Sequence, residues 1–303
     1  MTRILVVGLL LFAGCTNTSS KMEKSTTDAL NIKRVVDWQG HRGARGLVPE
    51  NTVPSFLKAL EFEAIKTLEL DVVVSKDSVL IVSHEPWLSH YICSHPDGRA
   101  IEESEEEVLN IYQMTYKQIQ QYDCGSRGNE RFPEQVKQKI AKPSLADVVR
   151  AVSDYCATNK REQPLYNIEI KSRPEWDNSK TPEPEVFAQL VVAEVEQLGI
   201  AKQACIQSFD VRALQAVHEL DTTMVTALLV ENTDGLATNL EALGFVPTIY
   251  SPYYRLVSAN LVKEVHAKGM QIIPWTVNEW EAIEGLLKLG VDGIITDYPN
   301  RIE

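Results

Sequence analysis

Apolar and polar positions follow two recurring rhythms along this chain. Short runs rich in β-branched and apolar residues stand at 35–40, 67–74, 165–170, 204–208, 223–229, 247–251, 270–275 and 293–296. Between them, near 52–64, 143–159, 183–199, 210–220, 233–243, 258–268 and 279–289, apolar residues recur every three or four positions, and a stub follows 297. The first rhythm predicts strands, the second amphipathic helices. Over 52–64, Val53, Phe56, Leu57, Leu60 and Ala64 form one apolar stripe, and Pro54 falls in the first turn, where its missing N–H costs little. Asp210 and Ser258 are placed to cap the helices after them, and Asn278 with Glu281 reads as a capping box. Eight strands each followed by a helix predict an α/β fold, a (β/α)8 or TIM barrel, in preference to a doubly wound open sheet.

Two stretches break the rhythm. Asp77-Ser78 separates Asp71–Ser75 from Val79–His84, which reads as a hairpin whose return strand carries His84. Residues 86–142 then form an insertion between the second strand and the second helix, far longer than an ordinary βα loop. It contains Cys93, Cys124 and the glutamate run Glu102 to Glu107, which reads as a solvated face without the spacing of a calcium loop.

Composition narrows the class of partner. The chain has 303 residues, 44% of them hydrophobic, enough for one large α/β domain with a full core. Its net charge of −12 argues against nucleic-acid binding and against long-range steering of an anion. An anionic ligand must therefore be captured locally, by a basic site or a metal.

The N-terminus reads as a leader. Arg3 precedes an apolar run from Ile4 to Phe12, then Ala13-Gly14-Cys15. This resembles a bacterial lipoprotein signal over 1–15, in which Cys15 becomes the lipidated N-terminus, with Phe12 where leucine is commoner. Residues 16–33, rich in Ser, Thr, Asn and Lys, read as a flexible tether, leaving 34–303 as the folded domain. The expectation is an exported, membrane-anchored protein, on the periplasmic or cell-surface side. In that oxidising setting the remaining cysteines are even in number, and Cys93 with Cys124, in one irregular region, is the favoured disulfide. Cys156 and Cys205 fall on a predicted helix and strand, where free buried thiols are common.

Chemistry-bearing residues gather at predicted strand ends. His41-Arg42-Gly43 and Pro49-Glu50-Asn51-Thr52 occupy the loop between the first strand and helix. Glycines, a planar guanidinium donor and a helix start suit an anion there, with Glu50 and Asn51 bracing the loop and capping the helix. Glu69 and Asp71 are two apart on a strand, so both face one side while Leu68, Leu70 and Val72 face the other. Glu169 repeats the pattern between Ile168 and Ile170, and Lys171 follows it on the same face. Three inward carboxylates need solvent, partners or a cation. By residue type alone, a salt-bridge cluster with Arg42 and Lys171 and a site for a hard divalent cation are equally open. His41 and His84 are candidates for proton transfer near neutrality. His90, His95, His218 and His266 belong to no such grouping.

Taken in order, His41-Arg42-Gly43, Pro49-Glu50-Asn51-Thr52, Glu69-Leu70-Asp71, His84 and Glu169-Ile170-Lys171 resemble the glycerophosphodiester phosphodiesterases, from about Val35 to Pro299. The long insertion is also a feature of that family. The resemblance implies hydrolysis of a small-molecule glycerophosphodiester to glycerol 3-phosphate and an alcohol. It implies Mg²⁺ or Ca²⁺ on Glu69, Asp71 and Glu169, phosphate contacts from Arg42 and Lys171, and His41 and His84 as base and acid. It further implies that the substrate's own neighbouring hydroxyl attacks, giving a cyclic phosphate that water opens. Glu85 stands where the family often has Asp. By resemblance Trp275 would wall the glycerol side, although a core tryptophan fits the position equally. Gln207-Ser208-Phe209-Asp210 and Thr296-Asp297-Tyr298-Pro299 match family strand ends, and by themselves Asp210 and Asp297 read as helix caps. Glu85 and the carboxylates are expected to keep His84 protonated. The alternatives are cleavage of intact phospholipids and phosphodiester binding without turnover. Nothing in the sequence bears on oligomeric state.

Overall fold

The structure, a computed structural model, describes residues 35–302. The leader over 1–15 with Cys15, and the tether over 16–33, lie outside the described residues. The elements run β1 (Asp37–Gly40), α1 (Val53–Leu60), β2 (Ile65–Val74), β3 (Leu80–Val82), α2 (Tyr116–Ile119), α3 (Leu145–Asn159), β4 (Leu165–Ile170) and α4 (Pro184–Gln197). They continue β5 (Ala204–Ser208), α5 (Val211–Leu220), β6 (Val225–Val230), α6 (Leu236–Leu243), β7 (Ile249–Pro252), α7 (Ala259–Ala267), β8 (Gln271–Ile272), α8 (Trp280–Leu289) and β9 (Gly293–Thr296). Among the described residues no helix is long and apolar enough to cross a membrane.

Eight parallel strands lie in the order β8-β7-β6-β5-β4-β2-β1-β9. An open sheet would leave β8 and β9 as edges. Instead Asp292 N–H donates to Ile272 O at 2.9 Å, Ile295 N–H to Pro274 O at 3.0 Å and Val277 N–H to Ile295 O at 2.9 Å, which closes the ring as a barrel. The strand expected over 270–275 shrinks to two residues, in keeping with Pro274, which has no N–H to give a ladder.

The two faces of each strand do different work. Outward residues such as Leu68, Leu70, Ile168 and Ile206 join Phe56, Val148, Phe187 and Leu214 of the helices in one continuous core. Each large side chain withdrawn from water contributes about 1.5–3 kcal/mol. Inside the barrel, Ala227, Ile249, Ile273 and Ile295 form an apolar half. The facing half is polar and buried, with Gln39, Thr67, Asn167 and Gln207. Cys205 also faces inward, half-buried, and is a free thiol like the buried Cys156 of α3.

Helix starts show what local pattern can and cannot specify. Asp210 and Ser258 cap α5 and α7, accepting from Arg212 N–H and Leu261 N–H. Asn51 does not cap α1; Thr52 does, accepting from Ser55 N–H. The capping box expected of Asn278 and Glu281 does not form. α8 begins after Glu279 with no side-chain cap, because Asn278 is drawn to Asp297, with its amide donating at 2.8 Å.

β3 pairs antiparallel with β2, matching Val72 to Val82 and Val74 to Leu80, and Ser78 turns the hairpin at φ 60°. His84 leaves the return strand at the mouth of the barrel. The insertion after it packs Leu88, Ile101, Leu109, Ile111 and Ile119 into a small core with Val73 of β2 and Ile81 of β3, beside a Cys93–Cys124 disulfide. Gln135 ties it to the barrel, its amide donating to Arg45 O at 2.8 Å and Val48 O at 3.2 Å. The glutamate run is not simply a solvated face: Glu105 pairs with Arg99 and His95, Glu106 with His90 and Glu107 with Lys180.

Candidate active site

The C-terminal ends of the strands open into a cavity of about 1030 Å³, with the insertion forming one wall and Phe209, Tyr253 and Trp275 on another. His41, Arg42, Glu69, His84, Glu169, Lys171 and Trp275 all line it. Asp71, 1% exposed, lies just behind them. The register explains the convergence: Asp71 of β2 pairs with Glu169 of β4, so the two carboxylates are carried side by side into the barrel mouth.

The first loop is held in an unusual backbone. Arg42 and Asn51 adopt φ of 50° and 55°, which non-glycine residues seldom do. Gly43, at φ 85°, abuts Ser55, where an added Cβ would come within 2.5 Å of the helix backbone. This conformation aims the Arg42 N–H at Glu69 Oε2, 2.9 Å away, and lets the Asn51 amide donate to Asp71 Oδ2 at 2.8 Å. Strain of this kind persists where surrounding contacts over-determine it. Asn51 therefore braces the carboxylates instead of capping the helix.

Oxygen atoms of Glu69, Asp71 and Glu169 lie within 4.8 Å of one another. Burial first, then mutual repulsion, raises Glu69 well above the ordinary carboxylate range. Glu169 is raised as well, again chiefly by burial, although Lys171 opposes the shift. Asp71 goes the other way: burial would raise it, but Arg42, His84 and Lys171 together hold it well below its usual value. Arg42 Nη1 donates to Glu50 Oε1 at 2.7 Å and its Nε stands 3.1 Å from Asp71 Oδ2. Lys171 Nζ donates to Glu169 Oε1 at 2.8 Å. Both cations expected to meet phosphate thus also neutralise carboxylates. Asp71 Oδ1 is buried without a hydrogen-bond partner. A cluster of oxygen donors alone, one of them unsatisfied, fits a hard divalent cation and offers nothing to a soft one.

Each histidine is oriented by an acid. His41 Nδ1 lies 2.6 Å from Asp297 Oδ1. Asp297 is held far below the ordinary carboxylate range despite its burial, because Arg45 and His41 face it. An ionised acid only accepts, so His41 carries its proton on Nδ1 and turns a bare Nε2 towards Glu69, 3.9 Å away. Burial and the charge of Arg45 lower the His41 pKa to about 4 despite Asp297, so the ring is neutral near pH 7. His84 Nδ1 lies 2.6 Å from Glu85 Oε1, so the longer acid reaches its ring. The expectation that His84 stays protonated is reversed. Burial, Arg42 and Lys171 lower its pKa, outweighing Asp71 and Glu85.

Two residues with clear places in this site were absent from the candidates. Arg45 donates to both oxygens of Asp297, at 2.8 and 3.1 Å. Asp297, read as a helix cap, instead accepts from His41, Arg45 and Asn278. Arg45 stands four residues after His41, and Asp297 is at an inward position just past β9; that pairing of a strand-end acid with a loop base was the available signal. Trp275 is half-buried at the wall, its indole N–H donating to Ser251 O at 2.9 Å and its ring edge-on to Phe209.

The profile of the glycerophosphoryl diester phosphodiesterase family matches residues 41–301, the span that contains every one of these residues. The chain belongs to that family. It is 28% identical over 266 residues to a glycerophosphodiester phosphodiesterase of Caldanaerobacter subterraneus subsp. tengcongensis, covering 86% of this chain and 94% of the relative. A crystal structure from Silicibacter pomeroyi DSS-3, of a protein named for the same family, superposes with a TM-score of 0.78 at 30% identity, covering 88% and 92% of the two chains. An Oleispira antarctica phosphodiesterase, solved in complex with its product sn-glycerol-3-phosphate, shares the fold at a TM-score of 0.68 and 22% identity, over 88% and 94%.

The buried, neutral His41 has a consequence for stability. Its pKa is about 4 in the fold against an ordinary 6.5, so the unfolded chain binds the extra proton between those values. The contribution is fully present above pH 6.5 and lost as pH falls towards 4. His41→Asn keeps a donor for Asp297 but cannot titrate. Between pH 7.5 and 4.5, cation-free wild type should lose roughly 3 kcal/mol more than this variant in urea denaturation. Parallel losses would show that His41 is not held neutral.

Proposed function

We propose that this chain hydrolyses glycerophosphodiesters to glycerol 3-phosphate and an alcohol, using Mg²⁺ or Ca²⁺ on Glu69, Asp71 and Glu169. The observation that carries the reading is the buried carboxylate trio, with Asp71 Oδ1 unsatisfied, on the floor of a cavity lined by two acid-oriented histidines. When bound, the cation supplies Lewis-acid polarisation of a phosphoryl oxygen.

The remaining chemistry belongs to side chains. Arg42 and Lys171 offer positive charge beside the phosphoryl group. His41 Nε2 accepts the proton of the substrate's neighbouring hydroxyl, whose oxygen bonds to phosphorus. The bond from phosphorus to the alcohol oxygen breaks, and that oxygen takes a proton from His84 Nε2. An entering phosphodiester anion offsets the cations that depress His84, which lets it hold that proton. Water then opens the cyclic phosphate, losing a proton to His84, while the ring oxygen regains one from His41. Trp275 and Phe209 form the apolar flank for the glycerol carbons.

We also propose residues 1–15 as a lipoprotein signal, 16–33 as a tether and 34–303 as the catalytic domain with its insertion at 86–142, on an exported, membrane-anchored protein. The leader pattern and the Cys93–Cys124 disulfide, which suits an oxidising compartment, support this.

The function is tested by turnover of glycerophosphocholine, lysophosphatidylcholine and intact phosphatidylcholine, with and without chelator. Chelator-sensitive release of glycerol 3-phosphate from the first alone is expected. Glu69→Gln, Asp71→Asn and Glu169→Gln should each abolish it while the circular-dichroism spectrum is kept. Activity in protein shown by elemental analysis to be metal-free would refute the metal role, and binding without release would refute the enzyme.

The histidine roles separate by leaving group. His41→Ala and His84→Ala should each lower turnover by about 10²–10⁴-fold on an alkyl diester. On a p-nitrophenyl ester, whose leaving group needs no proton, His84→Ala should recover and His41→Ala should not. Equal losses on both substrates would refute the assignment, and the opposite ranking would exchange the two roles.

The anchor is tested apart from the chemistry. Cys15→Ser should release the protein from membranes with turnover unchanged, since lasting attachment needs more than one acyl chain. An unmodified Cys15 by mass spectrometry would overturn it.

A further inference from the structure

The polar half of the barrel interior is a directed chain of hydrogen bonds that ends on Glu69. Gln207 Nε2 donates to Glu69 Oε1 at 2.7 Å. Gln207 Oε1 accepts from Asn167 Nδ2 at 3.0 Å. The same amide nitrogen gives its other proton to Gln39 Oε1 at 2.8 Å, and Gln39 Nε2 donates to Asp37 Oδ2 at 2.7 Å. Gln39, Asn167 and Gln207 are each no more than 2% exposed.

The direction of this chain is set by its ends. Both end carboxylates accept, from Gln207 Nε2 and Gln39 Nε2, so each glutamine turns its NH₂ outward to an acid and its carbonyl inward. The residue between the two carbonyls must supply two protons. Asn167 does so, and its own Oδ1 is left buried without a partner. A buried acceptor is not left unpaired without cost. The arrangement accepts that cost to keep both amide protons on the two glutamines.

We infer that Asn167 is a positioning residue for the cation site: by fixing the direction of the Gln207 amide, it holds Glu69 in the orientation that meets the metal. Without Asn167, the Gln207 carbonyl loses its donor and only Glu69 is left to hold the direction of the amide; a rotated amide would put a carbonyl oxygen against Glu69 Oε1. Glu69 would then be held only through Oε2, by the Arg42 N–H. Groups that orient a metal ligand from behind are typically worth 10–100-fold in metal affinity. This inference rests on Glu69 being a cation ligand, as proposed above.

The test is calorimetric titration of the full-length chain with Mg²⁺ and with Ca²⁺ alone, so it does not depend on turnover. Asn167→Ala and Gln207→Leu should each weaken binding by about 10–100-fold, with circular dichroism unchanged. Gln39→Leu cuts the opposite arm, which does not reach Glu69, and should change affinity less than about threefold. Because Asn167 acts through Gln207, the double variant Asn167→Ala/Gln207→Leu should bind no more weakly than Gln207→Leu alone. Should Asn167→Ala fail to fold, Asn167→Ser takes its place in the same comparison. Wild-type affinity in the Asn167 variant, losses that add in the double variant, or an equal loss in Gln39→Leu would each overturn the inference while leaving the metal reading intact. Wild-type protein that binds neither ion would remove the metal reading and this inference with it.

Discussion

Three buried carboxylates with oxygen atoms within 4.8 Å of one another are the constraint around which this barrel mouth is arranged. Glu69, Asp71 and Glu169 repel one another and have lost most of their water, so their surroundings must supply positive charge and donors. Arg42 and Lys171 supply the charge, and the Arg42 N–H, Asn51 and Gln207 supply the donors. The left-handed backbone of Arg42 makes sense in this light: it lets one residue offer Glu69 its N–H and Asp71 its guanidinium. One oxygen of Asp71 remains without a hydrogen-bond partner, in a cluster of oxygen donors whose chemistry fits a divalent cation.

The barrel divides its interior to serve that constraint. On one side Ala227, Ile249, Ile273 and Ile295 pack as a dry wedge, which stiffens the floor and gives up no hydrogen-bonding groups. On the other, amide side chains carry hydrogen bonds from the base of the barrel to its mouth. A uniformly apolar interior would leave Glu69 with fewer donors. A uniformly polar one would leave many groups to satisfy in a space that admits few partners. The two histidines obey the same economy, each tied at Nδ1 by an acid so that Nε2 is free for the cavity.

The insertion is the part of the chain that belongs least to the barrel and most to its mouth. Its core packs on Val73 of β2 and Ile81 of β3, and it is joined to the first loop through Gln135 and to the β4–α4 loop through Asn110 and Lys180. It supplies an entire wall of the cavity, while the three carboxylates sit on β2 and β4 and the two histidines just past the ends of β1 and β3.

Much of this was legible in the chain itself. Period-two and period-3.6 patterning determined the order of strands and helices, because each face must be buried on one side. Spacing alone placed Glu69 with Asp71, and Glu169 with Lys171, on common faces, because alternate strand residues point the same way. Asp210 and Ser258 capped as expected, because a cap is a contact within three residues. Tertiary structure decided everything that depends on distant partners. Asp297 and Asn278 look like helix-start residues until the ring closes and brings them to His41 and to each other, 256 and 19 residues apart. Asn167 and Gln207 look like ordinary strand polars until Asn167 meets Gln39 and Gln207 meets Glu69 inside the barrel. The charge of His84 depended on burial and on Arg42 and Lys171 arriving at the ends of two other strands, which together outweighed the acid next door in sequence. Local pattern specifies which side a residue faces; the fields and hydrogen bonds it meets there are set by closure of the barrel.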